Sequence, residues 1–156
     1  MIPVNRLNHV VLFVRDLDRV VDFYRRAFGF ELVSEMAGQA AFLRAKGSAN
    51  HHDLGLFASS SPTRPPRGTP GLYHLAWEVP TIEDLATARH TLSEFGALVG
   101  ASDHGATKSL YGKDPDGNEF EIMWLIPRKD WGEYEQKAVI ERLDLEAELA
   151  RYGKTS

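Results

Sequence analysis

The sequence predicts an α+β fold of two βαβββ modules, and three observations lead there. The order strand, helix, strand, strand, strand can be read twice along the chain. A stretch rich in Ser, Pro and Gly, residues 59–71, separates the two passes. Each pass opens with a histidine heading an apolar strand, His9 in HVVLFV and His74 in HLAWEV, 74 − 9 = 65 residues apart. A duplicated unit accounts for that spacing better than two unrelated segments do.

The elements follow in order. Leu7 to Val14 is β-branched and apolar and reads as a strand ending at Arg15-Asp16. Asp16 can cap a helix whose apolar set Leu17, Val20, Val21, Phe23, Tyr24 and Phe28 has helical spacing, with Gly29 as its stop. Three short strands are expected near 31–35, 40–44 and 53–58. After the loop, Leu72 to Val79 is a strand, and Thr81 can cap a helix from about Ile82 to Phe95 with Gly96 as its stop. Strands are expected near 97–101, 108–112 and 119–125, the last fed by the tight turn Asp114-Pro115-Asp116-Gly117-Asn118. A tail from Asp130 to Gly153 contains a helical stretch with Ala138, Val139, Leu143, Leu145 and Leu149. It has three candidate resting places: the domain surface, a partner subunit or the mouth of a cleft.

Composition narrows the function. The chain has 156 residues, 43% of them hydrophobic, enough for a folded core. Its formal charge is −4 with both signs interspersed, so neither nucleic acid nor an anionic membrane is an expected partner. It has no cysteine, which excludes disulfides, thiolate metal sites and cysteine nucleophiles. Neither a signal peptide nor a run near the ~20 apolar residues of a membrane span is visible, so a cytoplasmic protein is expected.

Any metal must therefore be held by His, Asp or Glu. His9 and His74 occupy matching places in matching strands, and two repeated units can bring such positions to a common axis. Glu121 lies in the last strand of the second unit, and its counterpart in the first falls near Leu54 or Leu56, which bind no metal. Two imidazoles and one carboxylate leave coordination positions open for water, substrate or O₂, an arrangement suited to Fe(II) or Mn(II). Glu119 shares the face of Glu121 by alternation, but sits nearer the turn and can stay in water; Glu121 is preferred. The bland alternatives are two structural histidines and a surface carboxylate. Against them stands the cost of an uncompensated charge among Phe120, Ile122, Met123 and Trp124.

These residues resemble the vicinal oxygen chelate superfamily, which includes glyoxalase I, fosfomycin-resistance enzymes, bleomycin-resistance proteins and extradiol dioxygenases. The resemblance covers about residues 5–127 and rests on LNHVVLFVRDLDRVVDFYRRAFGFEL, GLYHLAWEV and DPDGNEFEI. It implies a curved, mixed but mostly antiparallel sheet around a metal cleft. It also implies one glyoxalase/dioxygenase-like domain over residues 1–128, with modules at about 5–60 and 70–128, and a C-terminal helical extension over 129–156.

Within the superfamily, HHDLGLF resembles a segment of the extradiol dioxygenases and implies that His52 is the active-site acid–base. The segment DHGATKSLYGKDPDGNEFE resembles the one carrying a further histidine, a tyrosine and the ligand glutamate, here His104, Tyr111 and Glu121. His104 lies closer to its tyrosine than in that pattern, and a turn histidine is its alternative reading. The implied activity is an Fe(II)-dependent, ring-cleaving dioxygenase acting on a catechol-like aromatic substrate with O₂, in aromatic catabolism. His52 would move protons, while His104 and Tyr111 would orient the substrate's oxygens. Mn(II) satisfies the same ligands. Two alternatives stay open: another metal-dependent enzyme of the superfamily, such as a glyoxalase-like lyase or a thiol transferase, and a metal-free small-molecule binding or resistance protein. A homodimer or higher homo-oligomer is expected from the resemblance. Phe13, Phe42, Trp77, Leu110, Met123 and Trp124 could line an aromatic pocket, with core packing the simpler account for most. His90 reads as a surface residue and His51 has no assigned role.

Overall fold

In the computed structural model, which describes residues 1–154, the strand–helix–strand–strand–strand order occurs twice, as read. Thr155 and Ser156, the end of the expected extension, lie outside the described residues. The chain divides into two compact units, Met1–Thr69 and Pro70–Ser156. Both have mixed, mostly antiparallel four-stranded sheets.

The first unit contains β1 (Val10–Val14), α1 (Leu17–Phe28), β2 (Glu31–Met36), β3 (Ala40–Arg44) and β4 (Leu54–Ala58). Its sheet order is β1-β4-β3-β2, parallel between β1 and β4 and antiparallel elsewhere. Asp16 caps α1 by accepting the Arg19 N–H, and Gly29 closes it in the left-handed region at φ 67°, which a side chain would strain. Leu17, Val20, Phe23 and Tyr24 form the helix's buried stripe, and α1 packs on β3 and β4, where Leu43, Leu54 and Leu56 are fully buried. Each fully buried side chain of this size contributes roughly 1.5–3 kcal/mol. The opposite sheet face carries Val11 and Phe13, which are exposed.

The second unit repeats the plan with β5 (Leu75–Glu78), α2 (Ile82–Glu94), β6 (Leu98–Asp103), β7 (Thr107–Lys113) and β8 (Glu119–Leu125), in the order β5-β8-β7-β6. The parallel pair is again first and last strand, here β5 and β8. Even the irregularity is repeated. The register slips by one residue between Leu32 and Ser34 in the first unit and between Leu98 and Gly100 in the second. Leu110 and Phe120 are fully buried beneath α2, which itself contributes the fully buried Leu85.

Both leading strands are shorter than read: His9 and His74 stand one residue before β1 and β5. The tail also differs. Its helix, α3 (Leu145–Tyr152), excludes Ala138, Val139 and Leu143, and the 3₁₀ turns Arg128–Asp130 and Gly132–Glu135 precede it. The tail packs on the second unit. Leu145 is buried, Trp124 and Tyr152 rings lie 5.2 Å apart, and α3 packs on α2. Lys108, buried on β7, has its Nζ 2.6 Å from an Asp103 carboxylate oxygen and 3.7 Å from Glu148 on α3. None of the described helices is long and apolar enough to cross a membrane.

Candidate active site

In the second unit the polar groups collect on one sheet face, and the turn before β8 sets their register. Asp114 accepts hydrogen bonds from the backbone N–H groups of Asp116 (2.9 Å) and Asn118 (2.8 Å) and from the Asn118 side-chain amide (2.8 Å). Burial raises the Asp114 carboxyl above the usual range; those bonds oppose the rise only in part, and the Asp116 charge adds to it. From this turn β8 runs with Phe120, Ile122 and Trp124 buried toward the core, while Glu119, Glu121 and Met123 face the other way.

Across the sheet, Tyr111 of β7 pairs with Glu121, and Ala76 of β5 lies on its other side. His74, two residues before Ala76, shares this face and sets its Nε2 3.2 Å from Glu121 Oε2, with the two side chains 27% and 12% exposed. Glu119 instead lies 3.5 Å from Lys113 Nζ. Glu121 is thus the carboxylate beside the histidine. His74 Nδ1 is buried without a hydrogen-bond partner, a cost that calls for an explanation.

Tyr111 extends this pair. Its ring is 5.8 Å from that of His74, and its hydroxyl oxygen lies 2.7 Å from His104 Nε2, within hydrogen-bond distance. His104 occupies the β6–β7 turn, and its Nδ1 donates to the Val139 carbonyl at 2.8 Å. It is therefore both a turn histidine and a partner of Tyr111. Burial, and then the Glu121 charge, push the Tyr111 hydroxyl above its ordinary pKa.

The first unit carries the remaining expected residues. His9 Nδ1 lies 2.8 Å from Asn8 Oδ1, an oxygen that only accepts, so the Nδ1–H tautomer fits this contact and would offer Nε2 to a metal. The His52 ring lies 4.5 Å from that of His9 and 5.0 Å from Phe42, and its Nδ1 is 3.0 Å from His51 Nδ1. Burial lowers the His52 pKa, the nearby charges of His9 and His51 lower it further, and Asp53 opposes them. Asp53 itself anchors the loop before β4, accepting from Ala45 N–H, the Ser48 hydroxyl and the Asn50 amide.

Four expected site residues, His74, His104, Tyr111 and Glu121, are thus linked within the second unit; His9 and His52 are neighbours in the first. Among the described residues, no group of three or more His, Cys, Asp or Glu is gathered as a metal site. The donor chemistry of the His74–Glu121 pair still fits a divalent ion. Ligand bonds of about 2.1 Å place adjacent donors about 3 Å apart, close to the spacing between Nε2 and Oε2.

Two details correct the sequence reading. The counterpart of Glu121 is Gly55, not Leu54 or Leu56: Gly55 lies between Val11 and Phe42 as Glu121 lies between Ala76 and Tyr111. Of the suggested pocket residues, Leu110 and Trp124 are core, while Phe13 is 73% exposed. His90 is exposed and pairs with Glu94, as its surface reading expects. The Val139 carbonyl escaped sequence reasoning, because any residue supplies that group and only the fold selects it.

The curated protein "Catechol-2,3-dioxygenase" of Bacillus subtilis (strain 168) is 31% identical over 128 residues, covering 80% of this chain and 43% of its own length. "Biphenyl-2,3-diol 1,2-dioxygenase 3" of Rhodococcus globerulus is 34% identical over 121 residues, covering 76% and 62%. The chain thus spans less than two thirds of either relative. Among solved structures, a glyoxylase/bleomycin resistance protein/dioxygenase domain from Frankia sp. EAN1pec shares the fold with a TM-score of 0.68 at 22% identity, covering 80% of this chain and 95% of that one. Lactoylglutathione lyase from Agrobacterium tumefaciens shares it at TM-score 0.62 and 23% identity, covering 78% and 95%. At 22% and 23% identity these two structural likenesses show the fold alone. The Glyoxalase/Bleomycin resistance protein/Dioxygenase superfamily model matches residues 6–122, and the chain belongs to that superfamily.

Proposed function

We propose that this chain is a metal-dependent enzyme of its superfamily and that it opens catechol-like aromatic rings with O₂. The observation that carries the reading is the linked set of His74 and Glu121, Tyr111 beside them on the same sheet face, and His104 reaching Tyr111 from the β6–β7 turn. His74 and Glu121 would hold the metal together with His9, whose place before β1 repeats that of His74 before β5. In this reading the residues 1–128 form one domain with a curved sheet around a metal cleft, working in the cytoplasm as a homodimer or higher homo-oligomer. Fe(II) is the proposed metal and Mn(II) its substitute, since both accept two imidazoles and a carboxylate.

Such an ion supplies Lewis acidity toward catechol oxygens and one-electron chemistry toward O₂. The chain's side chains do the rest. Tyr111 keeps its proton near neutral pH, as a phenol with an ordinary value of 10.0 does, and burial reinforces this. Its phenol oxygen can therefore position a substrate hydroxyl by hydrogen bonding. His104 holds that phenol from behind through Nε2. His52 is the proposed acid–base that accepts and returns the substrate proton, with its ring held against Phe42.

Anaerobic loading with Fe(II), followed by a catechol panel and air, should give a yellow ring-cleavage product. Bound iron with no product across a broad panel would overturn the dioxygenase reading and favour a glyoxalase-like lyase or thiol transferase. That alternative is kept because the described residues gather a ligand pair rather than a trio. Failure to bind any divalent ion would leave a small-molecule binding protein.

A further inference from the structure

The C-terminal segment reaches the site through one backbone atom. His104 Nδ1 lies 2.8 Å from the Val139 carbonyl oxygen, which can only accept. A neutral ring then carries its proton on Nδ1 and leaves Nε2 bare, so the 2.7 Å contact to Tyr111 requires the phenol to donate. We propose that residues 128–152 are a positioning element: Val139 selects the His104 tautomer, which turns the Tyr111 hydroxyl proton toward His104 and presents the phenol oxygen to a ligand as an acceptor. The ligand class this favours has an O–H or N–H donor at that point, and an ether oxygen there is rejected. The statement about ligands rests on the proposed site; the tautomer does not.

Independent contacts hold the segment in register. Glu141 and Asp103 exchange two backbone hydrogen bonds of 2.9 Å, next to His104 in sequence on one side and two residues past Val139 on the other. The Tyr134 ring covers Gly105, where a Cβ would come within 2.3 Å of it. Gly105 also has φ +78°, so no other residue fits there without strain. Further along, Glu148 faces buried Lys108, and Asp144 caps α3. A segment tied at three points along its length is placed to fix one carbonyl.

The test is long-range ¹H–¹⁵N correlation of histidine-labelled, metal-free, full-length protein at a pH where His104 is neutral, with His104→Gln for assignment. The wild type should show pyrrole-like Nδ1 and pyridine-like Nε2, with the Nδ1–H form favoured about tenfold or more, as one good buried hydrogen bond allows. Tyr111→Phe should keep that tautomer, because Val139 sets it. Glu141→Pro removes the N–H that donates to Asp103 and should lower the Nδ1–H preference several-fold. An Nε2–H wild type overturns the proposal. So does a switch of tautomer in Tyr111→Phe, or an unchanged ratio in a folded Glu141→Pro whose Asp103–Glu141 bridge is lost. If Glu141→Pro fails to fold, the first two arms decide. No arm uses metal or catechol, so a negative ring-cleavage assay and a negative tautomer result remain distinguishable.

Discussion

The two units share a backbone plan, and one aligned row of three positions sets their sheets apart. On the second sheet, Ala76, Glu121 and Tyr111 lie side by side; on the first, the same places hold Val11, Gly55 and Phe42. One row is acidic and phenolic, the other apolar. In the first unit the missing side chain at residue 55 lets Phe42 and Val11 close in, and an added Cβ would lie 3.2 Å from Val11 Cγ2. The frame is repeated, and side-chain choice at a few register positions makes the two sheets chemically different. The proposed ligand pair and the tyrosine beside it are in the second unit, while the first has His9 and His52 next to the rings of Phe42, Phe57 and Phe13.

The comparison breaks most severely at Glu121. Glu121→Ala should reduce bound divalent metal to background, a loss of at least about 100-fold in affinity, since one of three proposed protein ligands is gone. Metal analysis and titration read it directly. Full occupancy would show that Glu121 is not a ligand and that the contrast with Gly55 is only one of packing. In the first unit, His52→Ala should leave the metal bound and slow catechol turnover by roughly 10²-fold or more, the scale of a positioned acid–base. Unchanged kcat would remove His52 from the chemistry.

A second contrast lies just upstream of each final strand. Asp53 and Asp114 are both buried and both tie a loop, yet they move in opposite directions from the ordinary 3.8. Burial raises both. At Asp53 the Ala45 N–H, the Asn50 and Ser48 side chains and the Arg6 charge outweigh it, and the pKa falls. At Asp114 burial wins, and the Asp116 charge adds to it. The signs then follow from linkage. The contribution of Asp53 is full above the unfolded value and is lost as pH falls below about 3.8 through its folded value. That of Asp114 is full below the unfolded value and is lost as pH rises through its folded value, which lies above 3.8. On acidification, hydrogen exchange at Phe120 and Gly112 should slow, relative to intrinsic rates, before protection at Leu54 and Leu43 begins to fall. Parallel loss in both units from the start would refute the contrast. Asp53→Ala should also cost about 2–4 kcal/mol at neutral pH, since it strands several buried donors. Urea unfolding measures that.

How far the sequence could be read follows the same physics. The βαβββ order was legible because period-2 and period-3.6 patterns are local, and because capping residues and glycines mark their ends. Distance from the tight turn was the ground for preferring Glu121 to Glu119, but both side chains are half-buried, and what sets them apart is the partner, His74 for Glu121 and Lys113 for Glu119. Gly55 was misplaced by one residue because register across a parallel pair is a tertiary property: a one-residue error exchanges the two faces. The tail was over-read as helix at Ala138, Val139 and Leu143, whose apolar spacing satisfies a helical pattern without the hydrogen bonds. That segment gives up the helix to place a β-bridge at Glu141 and a carbonyl on His104.

The smallest test concerns the two equivalent helices. α1 starts at Asp16, whose carboxylate accepts the Arg19 N–H at 3.1 Å; α2 starts at Thr81, whose hydroxyl accepts the Asp84 N–H at 3.1 Å and donates to the Asp84 carboxylate at 2.7 Å. Truncating either cap to alanine should cost about 1 kcal/mol, read from urea midpoints at unchanged slope. The two should differ in salt dependence. Asp16 carries a charge at the positive end of the helix dipole, so Asp16→Ala should lose less stability in high salt than in low salt. Thr81 is neutral, so the effect of Thr81→Ala should change less with salt. Equal salt dependence in both variants would mean that capping in this fold is hydrogen bonding alone, with no measurable share from the dipole.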